Sequence, residues 1–314
     1  DSSGNHHVGL LCGDDLRDWT ATYETPRTIE YQNYTVCKTD FWGQGPALLQ
    51  ALGILQPMEL AKFRADGPDF VHLVVEAFKL AFADREAWYG DPLHVDVPGN
   101  TLLSPAYATL RRALISDTAS LEMRPGHPDG RTPNIEANMN ADNDLGDIGH
   151  YFSLGEPTVQ ASGEVRGDTV HIDIIDRHGN MVSATPSGGW LQSAPVIPEL
   201  GFCLNTRGQM FWLDENSQSA LAPGRRPRTT LSPSLALRDG TPYLAFGTPG
   251  GDQQDQWQTL LFLNHVEHGM NLQQAIDHPA FHSEHFPVSF WPRINRPARL
   301  VMEGRYPSAT IDEL

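Results

Sequence analysis

Hydrophobic and polar positions follow two rhythms along this chain, and the change of rhythm divides it. Near the start, DDLRDWTAT predicts a short helix and TIEYQNYTVCKT reads as a strand pattern. After the Gly-Pro break of WGQGP, the apolar run ALLQALGIL predicts a helix. The strongest helical signal covers residues 68–89. There Val71, Val74, Val75, Phe78 and Phe82 recur at helical spacing, and Pro68 and Asp69 suit a first turn. Gly90-Asp91-Pro92 ends it. Residues 124–168 are polar, poorly periodic and rich in Gly, Pro, Asn and Asp, which predicts a long loop or linker. From Thr169 onward the strand rhythm dominates. TVHIDIID, NMVSATPS, GFCLN, PSLALRD and TPYLAFGT read as strands, with helices expected after Gly250-Gly251-Asp252 and over NLQQAIDH. A precursor with a cleavable linker and an ordinary two-domain protein both fit this pattern.

Composition narrows the classes. The chain has 314 residues, enough for one large domain or two ordinary ones, and 39% hydrophobic content is globular. A net charge of −17 repels phosphate backbones and anionic lipid, so neither nucleic acid nor membrane is expected as a partner. Cys12, Cys37 and Cys203 are odd in number and widely spaced, which disfavours a disulfide framework or a zinc knuckle. No apolar run has bilayer length, and DSSGNHHVGLL lacks the basic start of a signal peptide. A cytoplasmic location is favoured, with a periplasmic or secreted one left open.

The candidate chemistry begins at Thr169. In the predicted strand, Val170, Ile172 and Ile174 share one face, and Thr169, His171, Asp173 and Ile175 the other. A threonine there suits a sheet by its β-branch alone. It becomes a nucleophile if the Asp168–Thr169 bond is cut, because the freed α-amine lies within reach of the hydroxyl and can take its proton. LAFGTPGGDQQDQW runs a strand into a glycine turn and a helix start, a place where backbone N–H groups can hold negative charge; a glycine turn capped by aspartate also explains it. In PGRRPRTTLSPSL, Arg225, Arg226 and Arg228 precede a Thr-Thr pair and can grip a carboxylate, though a solvated basic turn suits each singly. His278, His282, Glu284 and His285 suggest zinc less than they suggest a broken turn, since Pro279 interrupts any helix; no metal and no cofactor are expected. His72 and Glu76 read as a surface pair.

Together, the Thr169-led strand, the DRHGN turn, RRPRTTLSPS and GTPGGDQQ resemble the small subunit of the gamma-glutamyltransferase family, whose members are N-terminal nucleophile hydrolases. Upstream, YTVCKTDFWGQGPALLQALGIL and EAFKLAFADREAWYGDP resemble the end of its large subunit. The resemblance implies an α+β fold, a four-layer αββα sandwich. It implies self-cleavage before Thr169, so that residues 1–168 (large-subunit-like, ending in the linker) and 169–314 (small-subunit-like) form one intertwined domain of two associated fragments. A homodimer is compatible with it. Thr169 would then form an acyl-enzyme from a small-molecule amide, with water or an amine as acceptor. Gly250 and Gly251 match the family's oxyanion-hole pair, and Ser187 falls where members carry a threonine that supports the nucleophile. Thr229 and Thr230 fall where the transferases carry two serines that hold the substrate carboxylate. The resemblance also implies that the family's N-terminal portion, with its substrate-binding arginine, and its far C-terminus lie outside this chain.

Departures from the transferase pattern point to the substrate. Gly189 stands where transferases have asparagine, and Thr206-Arg207-Gly208-Gln209-Met210 matches a stretch that in transferases carries carboxylates for the glutamyl amine. Arg207 there suits an acidic acyl group without an α-amine, with Asn205, Thr229 and Thr230 completing the expected binding set. An amidohydrolase or acylase is therefore expected. A true gamma-glutamyltransferase or glutathione hydrolase, an uncleaved inactive homologue acting as a binding protein, and a histidine-cluster metal hydrolase are the alternatives.

Overall fold

The computed structural model describes residues 12–135, 169–188, 196–199, 201–290, 293 and 295–314. The expected cleavage-site residue Asp168, Gly189 and most of the expected 124–168 linker lie outside these. DDLRDWTAT contributes only a five-residue helix, α1 (Gly13–Arg17). The TIEYQNYTVCKT pattern is not one strand but a hairpin of β1 (Arg27–Tyr31) and β2 (Tyr34–Lys38). Gln32 turns it with a φ of 53°, and the Asn33 amide donates to Asp239. The polar pair Gln32-Asn33 forms the turn between Tyr31 and Tyr34, where the period-two alternation of the two strands breaks.

β2 extends into a four-stranded antiparallel sheet of order β1-β2-β7-β8, where β7 is Ser234–Arg238 and β8 is Thr241–Phe246. The register pairs Val36 with Ala236 and Leu235 with Ala245. One face carries Tyr34, Val36, Ala236, Leu244 and Phe246, all buried beneath helices. Those helices are α2 (Pro46–Leu55), α3 (Pro68–Trp88) and, later in the chain, α6 (Gln254–Val266). Phe262 of α6 meets Tyr31 and Tyr34 edge-on and stacks on Phe246. Between α3 and α6 lie α4 (Gly99–Leu102) and α5 (Pro105–Arg112); α7 (Leu272–Asp277) and α8 (Ser308–Glu313) complete the helices among the described residues.

α3 covers the expected 68–89 segment almost residue for residue. Its C-terminal half is enclosed on all sides, so charged residues are buried with the apolar ones: Glu76, Lys79, Asp84, Arg85 and Glu86 are each at most 4% exposed. Buried charge needs a partner, and each has one. Glu76 takes Lys79 and Arg124, which overturns the surface pair with His72; the His72 ring instead reaches the carbonyl of Ser116.

The strand-rich half opens with the hairpin of β3 (Ile172–Ile175) and β4 (Met181–Ala184). Asp176 shapes its DRHGN turn by accepting the N–H groups of His178 and Asn180. The hairpin lies on the four-stranded sheet, where the Ser183 hydroxyl bridges the N–H of Ser234 and the carbonyl of Phe246. GFCLN shortens to β6 (Phe202–Cys203), paired with β5 (Val196–Ile197); β9 (Phe281–Ser283) pairs with β10 (Leu300–Met302). Among the described residues, no helix is long and apolar enough to cross a membrane.

Candidate active site

Just ahead of β3, Thr169 is buried and the His171 side chain largely so, while Val170 and every residue of β3 itself, Ile175 included, are exposed. Thr169 pairs with Ser187 in an isolated antiparallel bridge that continues the β3–β4 register. The bridge brings the two hydroxyls together: Thr169 Oγ1 donates to Ser187 Oγ at 2.9 Å. Thr169 is 8% exposed.

Two further pairs extend this polar stripe. The His171 ring meets Thr185 Oγ1 through Nδ1 and Asp173 Oδ2 through Nε2, both at 2.8 Å. A Cβ on Gly247 would sit 2.1 Å from His171 Cε1, so the imidazole lies directly on the backbone where β8 leaves the sheet. The glycine turn follows at Gly250 and Gly251, with φ of 131° and 54°. L side chains rarely adopt such angles, and glycine does so freely. A short 3-10 turn, Gly251–Gln253, then leads into α6.

Arg207 reaches the stripe from another element, the 3-10 turn Arg207–Met210. Its Nη2 donates to Ser187 Oγ at 2.7 Å and its Nη1 to Thr230 Oγ1 at 3.2 Å. The guanidinium lies 5.5 Å from the Phe290 ring, and the residue is 5% exposed. Ser187 thus stands between the hydroxyl of Thr169 and a buried cation. Asn205 acts locally, its Oδ1 accepting the Arg207 backbone N–H. The Thr229 hydroxyl accepts the N–H of Leu231 and closes its own turn, while the Thr230 hydroxyl faces Arg207.

Beneath the glycine turn lies an ionic scaffold that sequence reasoning missed. Arg85, fully buried, donates to Gln44 and Asp252 through Nη1 and to Glu86 through Nε. Burial works against its charge, but Glu86 and Asp252 outweigh burial and hold its pKa above the ordinary arginine value. Asp252 in turn accepts the N–H and the hydroxyl of Ser289, next to Phe290. Arg228 is no solvated arginine: it is buried against Glu86 at 3.0 Å, and burial pushes its pKa down. Arg226 pairs with Asp91 and Glu24. Sequence spacing placed Arg85 on a helix and Gln44 in a Gly-Pro break, with no local sign that the two meet.

The histidine cluster takes a structural form. Glu284 is held by Arg296 and Arg299, and the His285 ring reaches the carbonyl of Glu122. Among the described residues, no group of three His, Cys, Asp or Glu side chains could hold a metal ion. A cavity of about 460 Å³ lined by Trp19, Cys37, Trp42 and Leu235 lies elsewhere and includes neither Thr169 nor Arg207.

The family model described as gamma-glutamyltranspeptidase matches residues 2–314. The chain is 32% identical over 267 residues to an oxamate amidohydrolase proenzyme of Klebsiella pneumoniae, covering 84% of this chain and 43% of that protein. It is 29% identical over 304 residues to a glutathione hydrolase-like YwrD proenzyme of Bacillus subtilis, covering 96% and 49%. Among solved structures, LmbA2991HD superposes with a TM-score of 0.84 at 48% identity, over 100% of this chain and 52% of that one. The cephalosporin acylase of Bacillus halodurans superposes with a TM-score of 0.74 at 27% identity, over 97% and 48%. The chain therefore spans about half the length of the relatives it matches.

Proposed function

Because the chain belongs to the gamma-glutamyltranspeptidase family, we propose that it carries the nucleophile of a self-processing threonine amidohydrolase acting on an amide with a small acidic acyl group. The observation that carries this reading is the line Thr169–Ser187–Arg207, which sets a hydroxyl beside a buried guanidinium.

Cleavage of the Asp168–Thr169 peptide bond frees an α-amine with a reference pKa of about 8. That amine takes the hydroxyl proton as Thr169 Oγ1 bonds to the amide carbonyl carbon. The carbonyl electron pair moves onto oxygen, toward the N–H groups of Gly250 and Gly251. Collapse breaks the C–N bond, the proton passes to the leaving amine, and an ester of Thr169 remains. Water, deprotonated by the same α-amine, hydrolyses that ester; an amine in its place gives transfer. Ser187 aligns the nucleophile. Arg207 and Thr230 receive the carboxylate of the acyl group, since a guanidinium pairs with carboxylate and repels the ammonium of a γ-glutamyl donor.

The sheet supports the two-fragment part of the reading. β2 precedes Thr169 and β7 follows it, and the two are hydrogen-bonded neighbours, so cut fragments stay joined as one intertwined domain. The same sheet, with helices on one face and the β3–β4 hairpin on the other, is compatible with a four-layer αββα sandwich. N-terminal sequencing of the purified protein tests the reading: a second fragment beginning at Thr169 is expected, with turnover in a screen of acidic amides. A single uncut chain that hydrolyses such amides would remove Thr169 from the mechanism.

A further inference from the structure

Gln44 is fully buried and touches both halves of the proposed site. Its backbone N–H donates to the carbonyl of Thr229 at 2.9 Å, one residue from the Thr230 hydroxyl that faces Arg207. Its side-chain Nε2 donates to the carbonyl of Gly251 at 3.1 Å. Its Oε1 accepts from Arg85 Nη1 at 2.8 Å. Arginine offers donors alone, so Arg85 settles which way the amide faces: oxygen toward the guanidinium, nitrogen toward Gly251.

The glycine turn needs such a hold. With φ of 131° and 54°, Gly250 and Gly251 have no side chains to lock their conformation. Peptide planarity means that a fixed carbonyl aims the N–H of the same unit the opposite way. The Gly250 carbonyl accepts the N–H of Gln253 at 3.0 Å, which aims the Gly251 N–H away from the helix start. The next carbonyl, that of Gly251, is the one Gln44 holds; it fixes the Gly251–Asp252 peptide unit and so pins the turn where it enters the helix start.

We propose that Gln44 is a positioning residue for the reaction: its amide anchors the C-terminal side of the Gly250–Gly251 turn, so that the turn cannot rotate away from the developing oxyanion, and its backbone keeps that turn in register with the Arg207–Thr230 carboxylate site. This inference rests on the threonine amidohydrolase reading above. Oxyanion donors act only when set before the charge develops, so a small rotation of the turn lowers kcat while ground-state binding through Arg207 persists.

The test compares Gln44→Glu, Gln44→Met and Thr169→Ala with the wild type on one acidic amide. Glutamate keeps the shape and the acceptor for Arg85 but opposes an oxygen to the Gly251 carbonyl; methionine keeps the volume and removes both bonds. In both Gln44 variants kcat is expected to fall by about tenfold to a hundredfold, with KM little changed. Affinity for a boronate analogue of the tetrahedral state should fall in parallel with kcat, while affinity for the free acid product holds. Wild-type kcat in Gln44→Glu, or in Gln44→Met should the first fail to fold, overturns the proposal. So does a loss that follows the melting temperature and raises KM equally. Continued turnover by Thr169→Ala would instead bring down the hydrolase reading itself; an inert Thr169→Ala beside an unaffected Gln44→Glu sinks the Gln44 role alone.

Discussion

Ser187 Oγ accepts a hydrogen bond from Thr169 Oγ1 at 2.9 Å, and Arg207 donates to that same oxygen at 2.7 Å. The proposed nucleophile and the cation proposed to select the substrate therefore meet on one small side chain.

Thr169→Ala should yield an uncut chain with no turnover. Intact mass and N-terminal sequencing check the first point, and an amide assay the second. A processed Thr169→Ala protein would show that cleavage does not use this hydroxyl.

Ser187→Ala removes the shared acceptor, and kcat should fall by about tenfold to a hundredfold, the cost of a buried hydrogen bond left unmade. Ser187→Thr, which keeps the hydroxyl, should keep most of the activity. Equal kcat in both variants would make the Thr169–Ser187 contact a packing feature.

Arg207→Asp reverses the charge beside Ser187 and Thr230. For amides of dicarboxylic acids KM should rise by about a hundredfold or more, while amides with an uncharged acyl group gain or stay level. An unchanged KM for the acidic substrate would remove the carboxylate contact.

Glu284 governs acid sensitivity near the C-terminal strands. Burial works to raise its pKa, but His282, Arg296 and Arg299 outweigh burial and hold it at about 2. The folded value lies below the unfolded one, so the stabilisation is complete above the ordinary carboxylate range and is lost as pH falls toward 2. Glu284→Gln should therefore lower the melting temperature at neutral pH and converge on the wild type in acid. Parallel melting curves across that window would contradict the ion-pair account.

Local rules were enough for α2 and α3, whose apolar spacing and proline starts mark their limits, and for the β3–β4 hairpin with its Asx turn. They missed the β1–β2 turn, where the polar pair Gln32-Asn33 breaks the alternation between two runs read as one strand. They failed again at Glu76 and Arg228, read as solvent-facing from residue type and found paired in the interior. Charge in a sequence says nothing of burial when its partner lies far along the chain.

From the amino-acid order alone came the family resemblance, the threonine that opens the strand, the glycine pair and the odd arginine at position 207. Each is a matter of residue identity at a place the pattern marks. Only the folded chain decided that Arg207 meets Ser187, that Thr230 rather than Thr229 faces it, and that Gln44 and Arg85 hold the glycine turn from beneath. Those contacts join segments up to 207 residues apart, and hydrogen bonds across such distances arise from packing, which no local periodicity encodes.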